Sequence, residues 1–238
     1  MGKIEVFVLG SGSCVPDKKR YASSYYFNIS GIDEKWLVDA GPGSLYRLAE
    51  LGQSYREIDR AFISHVHPDH ISSIIPLIQA LNYTPGFNRE KDFFVYGSEN
   101  VIDYIEKNLA MTMPLRDDFP LLLKKLSEND RVNNGGWSLE VKEVKHSTLT
   151  HAFRWQIDER IIVYGADTGP CKSLSYIAEG ADLLILESSY AGKEKFEGHL
   201  RADEAGKIAK KASVKRLLVS HFYPKIADME NSEIEREV

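Results

Sequence analysis

Residues 64–70 read Ser64-His65-Val66-His67-Pro68-Asp69-His70. Three of the chain's seven histidines and one aspartate fall between positions 65 and 70. Imidazole nitrogen and carboxylate oxygen are the donors that zinc, iron and manganese accept. Packing gives no reason to crowd imidazoles at the start of a helix, so the segment points to metal chemistry. It is also too compact for one ion to use every side chain. The natural division puts His65 and His67 on one ion, and Asp69 and His70 on a second. His146 would complete the first site and His221 the second, with Asp167 bridging both. Two ions a few ångström apart can hold an attacking water and a leaving oxygen together.

Such ligands must be held rigidly, and the surrounding pattern supplies the means. An apolar, strand-like run precedes each candidate: 62–64 before His65, 144–145 before His146, 161–165 before Asp167 and 217–220 before His221. Strand ends converge on one rim of a sheet, where a metal geometry is held better than on loops. Strands are expected at 4–9, 25–29, 35–39 and 92–96 in the first half. In the second half they are expected at 139–145, 152–157, 160–164, 183–186 and 214–219. Apolar spacing predicts helices at 44–51, 70–81, 99–109 (capped by Ser98) and 201–212, with a short one near 119–128. The acidic tail from Asp228 reads as frayed or as a short surface helix. Strands alternate with helices and no linker intervenes, so two sheets packed face to face with helices outside would bury every apolar face.

At 238 residues and 43% hydrophobic content the chain suits one large domain with a substantial core. A net charge of −5 gives no basic surface to grip a long nucleic-acid backbone. Two cysteines, Cys14 and Cys171, make no disulfide framework, and a reducing, cytoplasmic setting is expected. No run of apolar residues is long enough for a membrane span, so no membrane partner is expected.

The segment His65-Val66-His67-Pro68-Asp69-His70 resembles the HxHxDH signature of the metallo-β-lactamase superfamily. His146, Asp167 and His221 match the remaining ligands of that family in order. Leu9-Gly10-Ser11-Gly12-Ser13 and Leu37-Val38-Asp39-Ala40-Gly41-Pro42-Gly43 are similar to the opening of its ribonuclease Z and small-phosphodiesterase branch. The resemblance covers about residues 4–224. It implies an α/β fold, the four-layer α/β/β/α sandwich, as a single domain over 1–238. It also implies two divalent metal ions, zinc foremost, with manganese or iron as alternatives. Asp39 would orient an imidazole or anchor the turn. Members of the family commonly dimerise, which makes a homodimer the expected assembly.

Glu197-Gly198-His199-Leu200-Arg201-Ala202 resembles a ribonuclease Z segment whose histidine stands near the scissile phosphate. By that resemblance His199 would assist the leaving oxygen, since imidazole titrates near neutrality. The competing reading makes it a surface cap for the following helix. Asp69, besides binding metal, would orient the attacking water. His146-Ser147-Thr148-Leu149-Thr150 also resembles small cyclic-phosphodiester hydrolases. Ser11 and Ser13 could shape a phosphate pocket. Tyr21, Tyr25 and Tyr26 fit a core or rim as well as a substrate stack. His151 is left open between a ligand and an ordinary hydrogen-bonded polar residue.

The function these features imply is a metal-dependent hydrolase. Its most favoured form is a phosphodiesterase that uses a two-metal-activated hydroxide on a small phosphodiester or short nucleic acid. A thioester or lactone hydrolase is the alternative, although His199 would then be idle. An arm-less, ribonuclease Z-like enzyme of tRNA 3′ processing is another. Against that last reading, only 20 residues separate His146 from Asp167, where bacterial-type ribonuclease Z inserts its tRNA-gripping arm. Pro68 also stands where that family commonly has glycine, which stiffens the turn without removing a ligand.

Overall fold

The structure, a computed structural model, describes residues 2–192 and 196–238. The chain forms two compact units. One comprises Tyr21–Leu126 with the N-terminal strand, the other Gly12–Arg20 with Ser127–Val238.

The first unit carries a six-stranded mixed sheet. Its strands are β1 (Ile4–Gly10), β2 (Ser24–Ile29), β3 (Glu34–Ala40), β4 (Arg60–Ile63), β5 (Phe93–Gly97) and β6 (Leu121–Lys125), in that spatial order. β1 to β3 pair antiparallel and β3 to β6 parallel. Its helices are α1 (Ser44–Glu50), α2 (Pro68–Ile71), α3 (Ile74–Tyr83) and α4 (Glu99–Thr112). Ile74, Leu77 and Ile78 of α3 and Val101, Ile105 and Leu109 of α4 pack on Leu37, Ala61, Ile63 and Val95 of the sheet. Spacings of three and four residues put these side chains on one face of each helix.

The second unit carries another six-stranded mixed sheet. It comprises β7 (Arg131–Asn133), β8 (Trp137–Glu143), β9 (His151–Ile157), β10 (Arg160–Tyr164), β11 (Leu183–Glu187) and β12 (Leu217–Ser220). β7 to β10 pair antiparallel and β10 to β12 parallel. Helices α5 (Lys172–Ile177) and α6 (Ala202–Lys211) bury Leu174, Ile177, Ala205 and Ala209 against Ala152, Val163, Leu184 and Leu186. Two short helices, α7 (Pro224–Ala227) and α8 (Asn231–Glu237), end the chain. The tail is therefore helical, and Ile234 anchors it in a cluster with Ala202, Phe222 and Ile226. Two mixed β-sheets, each with its own helices, are the α/β architecture expected for the metallo-β-lactamase fold.

Several local expectations are corrected. The segment 119–128 is no helix: Leu121–Lys125 forms edge strand β6, paired parallel with β5. The leucine-lysine run suits a helix by propensity, but the open backbone edge of β5 requires a partner. The helix expected at 70–81 is broken into α2 and α3. Pro76 has no amide hydrogen to reach the carbonyl of Ser72, so the helix must restart. At the break the Ser73 amide donates to the Ala40 carbonyl at 2.7 Å, and its hydroxyl to the Gly41 carbonyl at 2.8 Å. Ser98 occupies the N-cap position of α4, but its side chain makes no capping hydrogen bond. Tyr25 and Tyr26 are fully buried, which removes them as a substrate stack. Among the described residues, no helix is long and apolar enough to cross a membrane.

Candidate metal centre

In the first unit β3 and β4 run parallel, with Val38 opposite Phe62, so their carboxyl ends lie side by side. Carboxyl ends of parallel strands are where α/β sheets place ligands. Asp39, near the end of β3, takes a left-handed backbone with φ of 52°. Its buried carboxylate accepts three hydrogen bonds: from the Ser64 amide at 2.7 Å, the Ser64 hydroxyl at 2.8 Å and His70 Nδ1 at 2.7 Å. Those bonds hold a conformation that costs roughly 1–3 kcal/mol in a residue other than glycine. Asp39 thus anchors the turn and orients an imidazole together, the two roles anticipated for it.

The hydrogen bonds fix which ring nitrogen each histidine turns toward its neighbours. With Nδ1–H committed to Asp39, His70 presents Nε2, which lies 3.7 Å from Asp69 Oδ2. Because the Ser64 hydroxyl donates to Asp39, it accepts from His65 Nδ1 at 2.9 Å. His65 therefore presents Nε2, 3.1 Å from His67 Nδ1. Two nitrogens on one tetrahedral zinc ion lie about 3.3 Å apart, given Zn–N bonds of 2.0–2.1 Å. His67 caps α2 with Pro68 at its first position, where the missing amide hydrogen costs nothing.

In the second unit β10, β11 and β12 end next to one another. Asp167 follows β10, Glu187 closes β11 and His221 follows β12. Asp167 Oδ2 lies 3.2 Å from His221 Nε2 and 4.0 Å from His146 Nε2. His146 donates Nδ1–H to the Gly198 carbonyl at 3.0 Å, which leaves its Nε2 lone pair toward Asp167. A side chain on Gly198 would stand 3.3 Å from that ring nitrogen, and its φ of 85° disfavours one as well. His221 donates Nδ1–H to the Ser189 hydroxyl at 2.9 Å, and Ser189 donates to Glu187 at 2.5 Å. One carboxylate oxygen thus lies within 4.0 Å of two imidazole nitrogens. Ala166 and His221 take left-handed backbones as well, with φ of 54° and 59°.

His199 is no cap for α6, whose N-cap position is Arg201. Its ring lies in the same cluster, with ligand atoms of His146, Asp167 and His199 all within 4.8 Å of one another. Nδ1–H is shared between the two oxygens of Glu187 at 3.0 and 3.1 Å, which fixes the orientation of the ring. Glu187 also accepts the Thr168 amide at 2.5 Å and the Leu200 amide at 3.1 Å. A single buried carboxylate thereby positions the turn after Asp167, the His199 ring and, through Ser189, the His221 ring.

Glu187 and Ser189 were missed from sequence. The available signal was a carboxylate ending the apolar run Leu183-Leu184-Ile185-Leu186. His151 is neither ligand nor hydrogen-bonded polar group: it is buried, and both ring nitrogens lack a hydrogen-bond partner among the described residues. Between His146 and Asp167 the chain makes only the β9–β10 hairpin, with no arm.

Strand-end clusters of histidine and aspartate on this α/β architecture define a metal-dependent hydrolase. Residues 35–222 match the β-lactamase superfamily domain, and the chain belongs to that superfamily. It is similar to the ribonuclease Z of Ignicoccus hospitalis, with 28% identity over 96% of this chain and 91% of that protein. Among solved structures it resembles the metallo-β-lactamase fold protein YhfI of Bacillus subtilis, with a TM-score of 0.83 and 26% identity over 98% of this chain and 90% of that one. Human tRNase Z, short form, aligns with a TM-score of 0.80 and 22% identity over 94% of each chain.

Proposed function

We propose that the chain is a dinuclear phosphodiesterase for a small phosphodiester or short nucleic acid, its two units acting as one domain. The observation that carries the reading is His199, whose Nδ1 is fixed by Glu187 and whose ring lies in one cluster with His146 and Asp167. A thioester or lactone hydrolase has no need of a second imidazole poised there. The donor set suits zinc, which His65, His67 and His146 would hold at one position and Asp69, His70 and His221 at the other, with Asp167 available to both. Two such ions, when bound, lower the pKa of a water and offset the charge of a phosphate. Asp69 hydrogen-bonds the attacking water and keeps its lone pair toward phosphorus. His199 gives a proton from Nε2 to the leaving oxygen, and the Glu187 carboxylate stabilises the cationic ring before that transfer. Free cysteines Cys14 and Cys171 suit a cytoplasmic setting, and a homodimer is the assembly we expect.

The test is His199→Ala in metal-replete protein. Metal content should stay at two ions, while phosphodiester turnover falls roughly 10²-fold or more. The loss should be smaller for nitrophenolate, a leaving group that needs little protonation. Equal losses on good and poor leaving groups would remove the acid role. Vigorous thioesterase or lactonase activity without phosphodiesterase activity would overturn the assignment.

A further inference from the structure

Beside His199 the second unit builds a column of three aromatic rings. Tyr190 stacks on Phe196 with centroids 4.3 Å apart and planes at 21°, and on Tyr223 at 5.1 Å and 22°. His199 stands edge-on to this column, 6.2 Å from Tyr190 and 5.9 Å from Tyr223, with planes more than 70° apart. The inner rings are tethered. The Ala202 amide donates to the Tyr190 carbonyl at 2.8 Å, and the Tyr223 hydroxyl lies 3.5 Å from Cys14 Sγ. Phe196 forms the outer end and is 55% exposed. Phe196 and His199 also line one cleft of about 320 Å³, with Lys145, Gly169, Pro170 and Gly198 among its other walls. Small-molecule sites begin at about that volume.

We propose that this column is a stacking platform for the nucleobase on the leaving side of the substrate. The inference rests on the phosphodiesterase reading and names the substrate class for that site. Every nucleobase has a flat π-face, and an exposed aromatic ring binds it without regard to sequence. The ring lies in the cleft of the imidazole that protonates the leaving oxygen, so the base it meets belongs to the leaving nucleoside. A second protein is a poorer occupant. Three rings fall far below the roughly 1,000 Å² that a specific protein interface buries.

The experiment compares a dinucleoside monophosphate with an analogue in which tetrahydrofuran replaces the leaving nucleoside. Both release the same kind of alcohol, so His199 serves them equally. The natural substrate should have a KM lower by about fivefold or more, the low end of base stacking. Phe196→Ala should abolish that difference with kcat held, and Phe196→Trp should restore it. In parallel, a 2-aminopurine nucleotide should lose fluorescence on binding the wild type and keep it with Phe196→Ala. Equal KM values in the wild type, or a KM difference that survives Phe196→Ala, would overturn the platform. So would unchanged quenching, or a dimer that Phe196→Ala splits into monomers. If neither compound is cleaved, the phosphodiesterase reading fails instead, and the quenching comparison still decides whether the column binds a base.

Discussion

Replacing His151 with leucine should remove a defined acid sensitivity from folding. His151 opens β9, is 1% exposed, and has no hydrogen-bond partner at either ring nitrogen among the described residues. Burial pushes its pKa down from 6.5 to about 4, against a smaller opposing pull from the charge of Asp130. The folded protein therefore keeps this ring neutral where the unfolded chain protonates it. Between the two pKa values the unfolded state holds the extra proton, so stability falls as pH drops through 6.5 and levels off below 4. Each unit of pH in that window is worth about 1.4 kcal/mol. From pH 7 to pH 5 the loss from this residue amounts to about 2 kcal/mol, and by pH 4 to about 3 kcal/mol. Leucine fills a similar volume and leaves no polar atom unsatisfied, so His151→Leu should match or exceed the wild type at pH 7. Urea denaturation of both proteins at pH 7, 6 and 5, in the same chelator, measures the difference. All other titrating groups cancel in it, including the ligand histidines. The variant should gain about 2 kcal/mol on the wild type by pH 5. Parallel stability curves would refute the reasoning, because they require His151 to be solvated or hydrogen-bonded in the folded state.

Asp39→Asn should weaken metal binding by roughly 10- to 100-fold, read by competition with a chromophoric chelator, because the amide cannot accept from Ser64 and His70 at once as the carboxylate does. The fold should survive, since asparagine tolerates the left-handed backbone at that position. Asp167→Asn should disturb both metal positions in a cobalt-substituted protein, and a spectrum with one site untouched would rule out the bridging role. Affinity for mature tRNA should be weak at physiological ionic strength, given the net charge of −5 and the bare hairpin between His146 and Asp167. A submicromolar, salt-resistant complex would favour tRNA processing instead.

The candidate ligands stand out in the chain by residue type alone, and the structure brings them into clusters that could hold a metal ion. Three imidazoles and a carboxylate between positions 65 and 70 have no packing purpose, and each later candidate stood at the end of a strand-like run. Apolar periodicity likewise located α1, α4 and α6, whose buried faces follow the helical repeat. Pro76, with no amide hydrogen for the Ser72 carbonyl, is the local mark of the break between α2 and α3. Other features had no local signature. β6 is a strand because β5 needs a partner, although Leu121–Lys125 alone favours a helix. Glu187 reads in sequence as one more acidic residue among 35. It becomes the hub of the site only because β10, β11 and β12 lie in parallel register, which brings Thr168, Ser189 and His199 to one carboxylate. His151 and the column of Tyr190, Phe196 and Tyr223 follow the same rule. Ligand chemistry belongs to a side chain wherever it sits, whereas hydrogen-bond partners, solvation and stacking belong to neighbours that only long-range strand pairing brings together.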